Sequence, residues 1–223
     1  MFSENSRPIC WTCRKARKTC YCEFLPALET KTRFVILQHP KEADNAIGTG
    51  RLAHLSLSNS LLLEGVDFSG DKRLNALLSD PELSCAILYP GPQSRSLNQR
   101  TADHVAELMP GGRQFVIFVI DGTWRTARRI LRLSTNLAAL PHVSFTASTR
   151  SAYILRRQPR EECLSTVEAI GRVLGLLESA ELENRLLTPF HQMVAQQLTF
   201  AKGRSGRVRA PQQLLEAAMR VQS

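Results

Sequence analysis

An unbroken apolar run, Phe115-Val116-Ile117-Phe118-Val119-Ile120, ends abruptly at Asp121-Gly122-Thr123-Trp124. Such a run of β-branched and aromatic residues predicts a strand buried on both faces, as in a parallel sheet. Gly122 allows a tight turn, and Thr123 is placed to cap a following helix. In that helix Trp124, Ala127 and Leu131 fall on one face, while Arg125, Arg128, Arg129 and Arg132 recur at i, i+3, i+4 and i+7 on another. Asp121 therefore stands at a strand's carboxyl end, where open α/β sheets bind ligands. A turn or capping role is its plain alternative, and a solvated helix face is that of the arginines.

Shorter apolar runs predict strands over residues 33–38, 61–63, 84–89 and 142–147. Amphipathic patterns predict helices over 49–57, 71–78, 101–108 and 165–177. Thr188-Pro189 is expected to open a further helix with Phe190, Met193, Val194 and Gln197 inward. His39-Pro40-Lys41-Glu42 is expected to be a loop, 150–160 a basic loop, and 202–209 a flexible basic tail before a short terminal helix. Strands alternating with helices imply an α/β fold with a mainly parallel sheet and flanking helices. No Gly-x-Gly-x-x-Gly and no Walker-type Gly-Lys-Ser/Thr occurs, so the common nucleotide signatures are missing.

Charge changes this picture. The 223 residues carry a formal net charge of +9 and a pI near 9.7. The excess is largely arginine, which forks onto phosphates and stacks on bases, so a nucleic-acid partner is the leading reading. No segment approaches the ~20 apolar residues of a membrane span, and residues 1–9 lack a signal peptide's apolar core. A cytoplasmic protein is expected, with neither membrane nor obligatory protein partner indicated.

Cys10, Cys13, Cys20 and Cys22 crowd into a short segment, whereas Cys85 and Cys163 stand apart as small hydrophobes. Four thiolates so spaced suit a tetrahedral zinc knuckle; an iron–sulfur cluster and unmetallated cysteines are the alternatives. The expected organisation is a knuckle over 1–30, an α/β domain over 31–201 and a basic tail over 202–223.

Five pieces then stand in order: the cysteine knuckle, Gln38-His39-Pro40 with the 45–55 segment, Tyr89-Pro90-Gly91, Asp121-Gly122-Thr123-Trp124, and the 156–169 stretch that contains Ser165-Thr166-Val167-Glu168. Together they resemble the DTW-domain family, whose Asp-x-Thr-Trp motif Asp121, Thr123 and Trp124 match, over about residues 8–200. The resemblance implies a SPOUT-like fold with a trefoil knot at its cofactor pocket. It implies a tRNA-uridine aminocarboxypropyltransferase, moving the 3-amino-3-carboxypropyl group of S-adenosylmethionine to N3 of a uridine in the tRNA variable loop and leaving 5'-methylthioadenosine.

On that reading Asp121 is the catalytic carboxylate. Leu88, Tyr89, Pro90, Gly91, Ile120, Gly122, Thr123, Trp124, Leu164, Ser165 and Glu168 would hold the donor. Arg51, Arg125, Arg128, Arg129, Arg132, Arg156, Arg157 and Arg160 would hold tRNA. Arg150, Arg156 and Arg160 suit either tRNA phosphate or the donor's carboxylate. Ser165 and Glu168 also fit a plain capping box. An RNA methyltransferase and a non-catalytic zinc-dependent RNA-binding module remain open beside this reading.

Overall fold

The computed structural model describes residues 8–43, 48–98, 108, 110–146, 151–152 and 164–204. Six strands among them, β1 (Arg33–Gln38), β2 (Leu61–Glu64), β3 (Leu83–Leu88), β4 (Arg95–Ser96), β5 (Gln114–Asp121) and β6 (His142–Ser144), form one sheet in the order β2-β1-β5-β3-β6-β4. Every pairing is parallel, so all the carboxyl ends lie along one edge. The helices are α1 (Pro40–Ala43), α2 (Gly50–Ser56), α3 (Lys72–Ser79), α4 (Trp124–Leu133), α5 (Thr135–Ala138), α6 (Thr166–Leu177) and α7 (Ala180–Arg204).

Side chains alternate across a strand, and this sheet is covered on both faces. Phe34, Ile36, Phe115, Ile117 and Val119 point to one face, where Leu52 of α2, Val167 and Ile170 of α6, and Leu186, Phe190 and Met193 of α7 meet them. Cys13, Tyr21 and Leu28 join that same layer. Val35, Leu37, Val116 and Phe118 point the other way, against Leu74 of α3, Ile130 of α4 and Leu137 of α5. Asp121 continues the 115, 117, 119 series, and Gln38 the 34, 36 series. Both belong to the face carrying the cysteine module, α2, α6 and α7. The arginine helix α4 covers the opposite face.

Several expectations change. Pro40–Ala43 is a single helical turn rather than a loop. No new helix starts at Thr188. Pro189 lies inside α7, where the Thr188 hydroxyl donates to the Asn184 carbonyl at 3.0 Å. Burial of Leu186, Phe190, Met193, Val194 and Leu198 carries the helix through the proline. The same helix runs to Arg204, into the stretch expected to be tail. Residues 101–107 of the helix expected over 101–108, the 147–150 and 153–163 segments, Cys163 and the tail from 205 lie outside the described residues. Cys85 is half-buried, its thiol donating to the Leu77 carbonyl at 3.6 Å.

Candidate functional site

The register sets Gln38 beside Asp121 at the ends of β1 and β5. Asp121 is 2% exposed. Gln38 Nε2 donates to its Oδ2 at 2.8 Å, and the Thr166 hydroxyl donates to its Oδ1 at 2.6 Å. The His39 amide donates to the Asp121 carbonyl at 3.0 Å. Gly50, the first residue of α2, lies against this carboxylate so closely that a Cβ there would collide with it. The carboxylate thus ties β1, β5, α2 and α6 together. Since a carboxylate only accepts, Gln38 must turn its amide nitrogen inward. Its Oε1 is then buried with no hydrogen-bond partner.

Lys15, from the cysteine module, is buried in the same layer. Burial and the repulsion of Arg51 pull its ammonium down to about 8, while Cys13 and Asp121 oppose the shift. Arg51 is likewise lowered, by burial first and then by Arg14. Its Nε and the Tyr21 hydroxyl are buried without partners. Lys15 is thus within electrostatic reach of both Arg51 and Asp121, and Arg51 directly follows Gly50, which abuts the carboxylate. Unmet buried polar atoms of this kind mark places where a ligand or water completes the network.

The turn after β5 forms as its sequence dictates. Thr123 caps α4, its hydroxyl accepting from the Thr126 amide at 3.3 Å. Trp124, which shares a predicted face with Ala127 and Leu131, is 42% exposed. It packs edge-to-face on Tyr89 at 5.8 Å, and Tyr89 in turn meets His142 at 5.8 Å. Along α4 the buried residues are Ala127 and Ile130. Trp124, Tyr89 and His142 thus make an aromatic rim beside Pro90 and Gly91, which are exposed, and Leu88 and Ile120, which are half-buried.

Ser165 caps α6, and Glu168 closes the capping box. Glu168 accepts from the Ser165 amide at 2.8 Å and hydroxyl at 2.6 Å, and from Ser151 Oγ and the Ala152 amide, both at 2.7 Å. Four donors on one carboxylate make Glu168 an anchor of the α6 start. Leu164 beside it is half-buried. His54 donates to or accepts from Ser60 Oγ at 2.8 Å, a local bond within the α2–β2 connection. Arg125, Arg128, Arg129 and Arg132 are all exposed on α4, away from the face Asp121 points to. Arg150, Arg156, Arg157 and Arg160 lie outside the described residues.

The four clustered cysteines converge, their sulfurs all within 4.8 Å of one another. Cys10 and Cys22 stand 3.8 Å apart and Cys13 and Cys20 3.7 Å. A tetrahedral ion with ~2.3 Å bonds to sulfur needs edges of about 3.8 Å, so the cage has the size of such a site. The Cys13 and Thr12 backbone amides lower the Cys10 thiol to about 6, while burial raises Cys13 and Cys22.

The DTW domain model matches residues 7–198. The chain belongs to the DTW domain family. It is similar to tRNA-uridine aminocarboxypropyltransferase 2 of Drosophila melanogaster, 33% identical over 87% of this chain and 76% of that one. It is similar also to the protein of the same name from Macaca fascicularis, 32% identical over 86% of this chain, and to tRNA-uridine aminocarboxypropyltransferase A of Arabidopsis thaliana, 25% identical over 90%. The chain spans 64% of the macaque relative's length. No solved structure matches it.

The DTW motif thus has its aspartate inside the polar cluster, its threonine at the helix cap and its tryptophan on the aromatic rim. Gln38, Gly50 and Thr166 lie inside the motifs read from sequence but received no role of their own there. Their places are set by register and close approach, which a linear pattern does not contain. Lys15 is one of several cations between the cysteine pairs, and spacing alone does not connect it to Asp121.

Proposed function

We propose that this protein transfers the 3-amino-3-carboxypropyl group of S-adenosylmethionine to N3 of a tRNA uridine, in the variable loop. The observation that carries the reading is Asp121, buried at the carboxyl edge beside the unpartnered Gln38 Oε1, with buried Lys15 within electrostatic reach. The names of the relatives support it.

The reaction forms a bond from N3 to the γ-carbon and breaks that carbon's bond to sulfur. The pair in the broken bond stays on sulfur, which leaves as the neutral thioether 5'-methylthioadenosine, and the N3 proton departs. Asp121 is suited to take that proton and to favour the sulfonium by its charge. Gln38 Oε1 is an acceptor for the incoming N3–H or for the donor's amino group. Lys15 and Arg51 are suited to the donor's carboxylate, which must be held because the tail moves. Trp124 and Tyr89 offer ring surfaces to adenine or uracil, with Leu88, Pro90, Gly91, Ile120 and Gly122 supplying the backbone around them. Zinc is the ion that the Cys10, Cys13, Cys20 and Cys22 cage fits best; it would hold the knuckle's fold and supply no step of the transfer.

Metal-replete protein, S-adenosylmethionine and unmodified tRNA should yield a uridine heavier by ~101 Da, with methylthioadenosine as co-product. S-Adenosylhomocysteine with a ~14 Da gain would make it a methyltransferase instead. Binding without any adduct would leave a non-catalytic RNA module.

A further inference from the structure

The cysteine module faces two ways. Lys15 is buried, within electrostatic reach of Asp121 and Arg51. Trp11, four residues earlier, is 91% exposed. Ile9 beside it is also exposed, as are Arg14, Arg17 and Lys18. Between Pro8 and Cys22 the sequence has no Asp or Glu to neutralise these cations.

The backbone here is held firmly. The Cys10 amide donates to the Lys15 carbonyl at 2.7 Å, and the Arg14 amide to the Cys10 carbonyl at 2.8 Å. Arg14 takes φ 59, the left-handed region that glycine enters freely and other residues avoid. An arginine kept where glycine would be easier points to a use for its side chain. A large indole left in water at a rigid, basic turn is a stacking platform, since any base has a π-face.

We propose that the 10–14 turn grips single-stranded RNA, with Trp11 stacking on an unpaired base and Arg14 pairing with a neighbouring phosphate. The partner is RNA because the platform is ringed by cations and lies on the face of the sheet that Asp121 points to. Trp11 and Lys15 are at most ~14 Å apart along the chain, so RNA held at the turn leads to the Asp121 cluster. The arginine stripe belongs to α4, which packs on the opposite layer through Ile130. The inference rests on tRNA being the substrate and adds where the RNA is held.

The test uses the metal-loaded full chain and an unmodified tRNA transcript, with affinity measured across a salt series and transfer measured in parallel. Trp11→Ala should weaken binding about 10-fold, and Trp11→Phe should recover most of it. Arg14→Gly, which relaxes the backbone, should keep metal content and lower the salt slope by ~0.7–0.9. In a Trp124→Phe background, where Trp11 is the sole tryptophan, tRNA should quench its fluorescence and a blunt RNA duplex should not. Affinity unchanged in Trp11→Ala, with full transfer by the wild type, overturns the inference and leaves the proposed function standing. Trp11-dependent binding with no transfer by the wild type does the reverse.

Discussion

Asp121 is organised by its neighbours as much as by its own position. Its two oxygens are met by side chains from different elements, Gln38 on β1 and Thr166 on α6. With 2% exposure it has little water to fall back on. Thr166→Val keeps the shape and deletes the hydroxyl donor. Leaving a buried acceptor short of a partner costs ~1–3 kcal/mol, so thermal unfolding should move down by several degrees. If the same bond aims the carboxylate at the reacting nitrogen, the variant's kcat should fall while its KM for tRNA holds. A fall in Tm with unchanged kcat would reduce Thr166 to a structural residue.

At the scale of elements, the strongest sequence signals match the structure. The run 115–120 is β5 with Gln114 and Asp121 added, Thr123 is a cap, and Ser165 and Glu168 form the capping box. These features are local, set by side-chain period and by the orphan amides of a helix start. What was not legible is set by packing. Helix α7 passes through Pro189 because its apolar residues are buried on both sides of the proline. The two-residue strand β4 exists only as a partner of β6. The α6 anchor makes its own prediction. Glu168→Ala strands the Ser165 and Ala152 amides and two hydroxyls, and should lower stability by at least ~2 kcal/mol. Glu168→Gln should recover part of this, both read by denaturant titration. Stability within experimental error of wild type would mean that water replaces the carboxylate.

On the scale of the whole molecule, the cysteine module is continuous with the domain. Cys13 and Tyr21 are buried in the same core layer as β1, α2 and α6, and Lys15 reaches the Asp121 cluster. Metal loss should therefore do more than unravel a tail. Chelation should release a single ion, lower the Tm of the whole domain and abolish transfer, with re-addition of zinc restoring both. A chelated protein that melts as before would separate the module from the core. No helix among the described residues is long and apolar enough to cross a membrane. The central claim remains that the carboxylate at the end of β5 performs the transfer. Asp121→Asn is nearly isosteric, and a flip of the Gln38 amide would restore the hydrogen bonds around it. Single-turnover transfer to unmodified tRNA, measured alongside tRNA affinity, tests the claim most directly. The account predicts affinity within about twofold of wild type and transfer slowed by at least ~100-fold. Transfer by Asp121→Asn at the wild-type rate would contradict it.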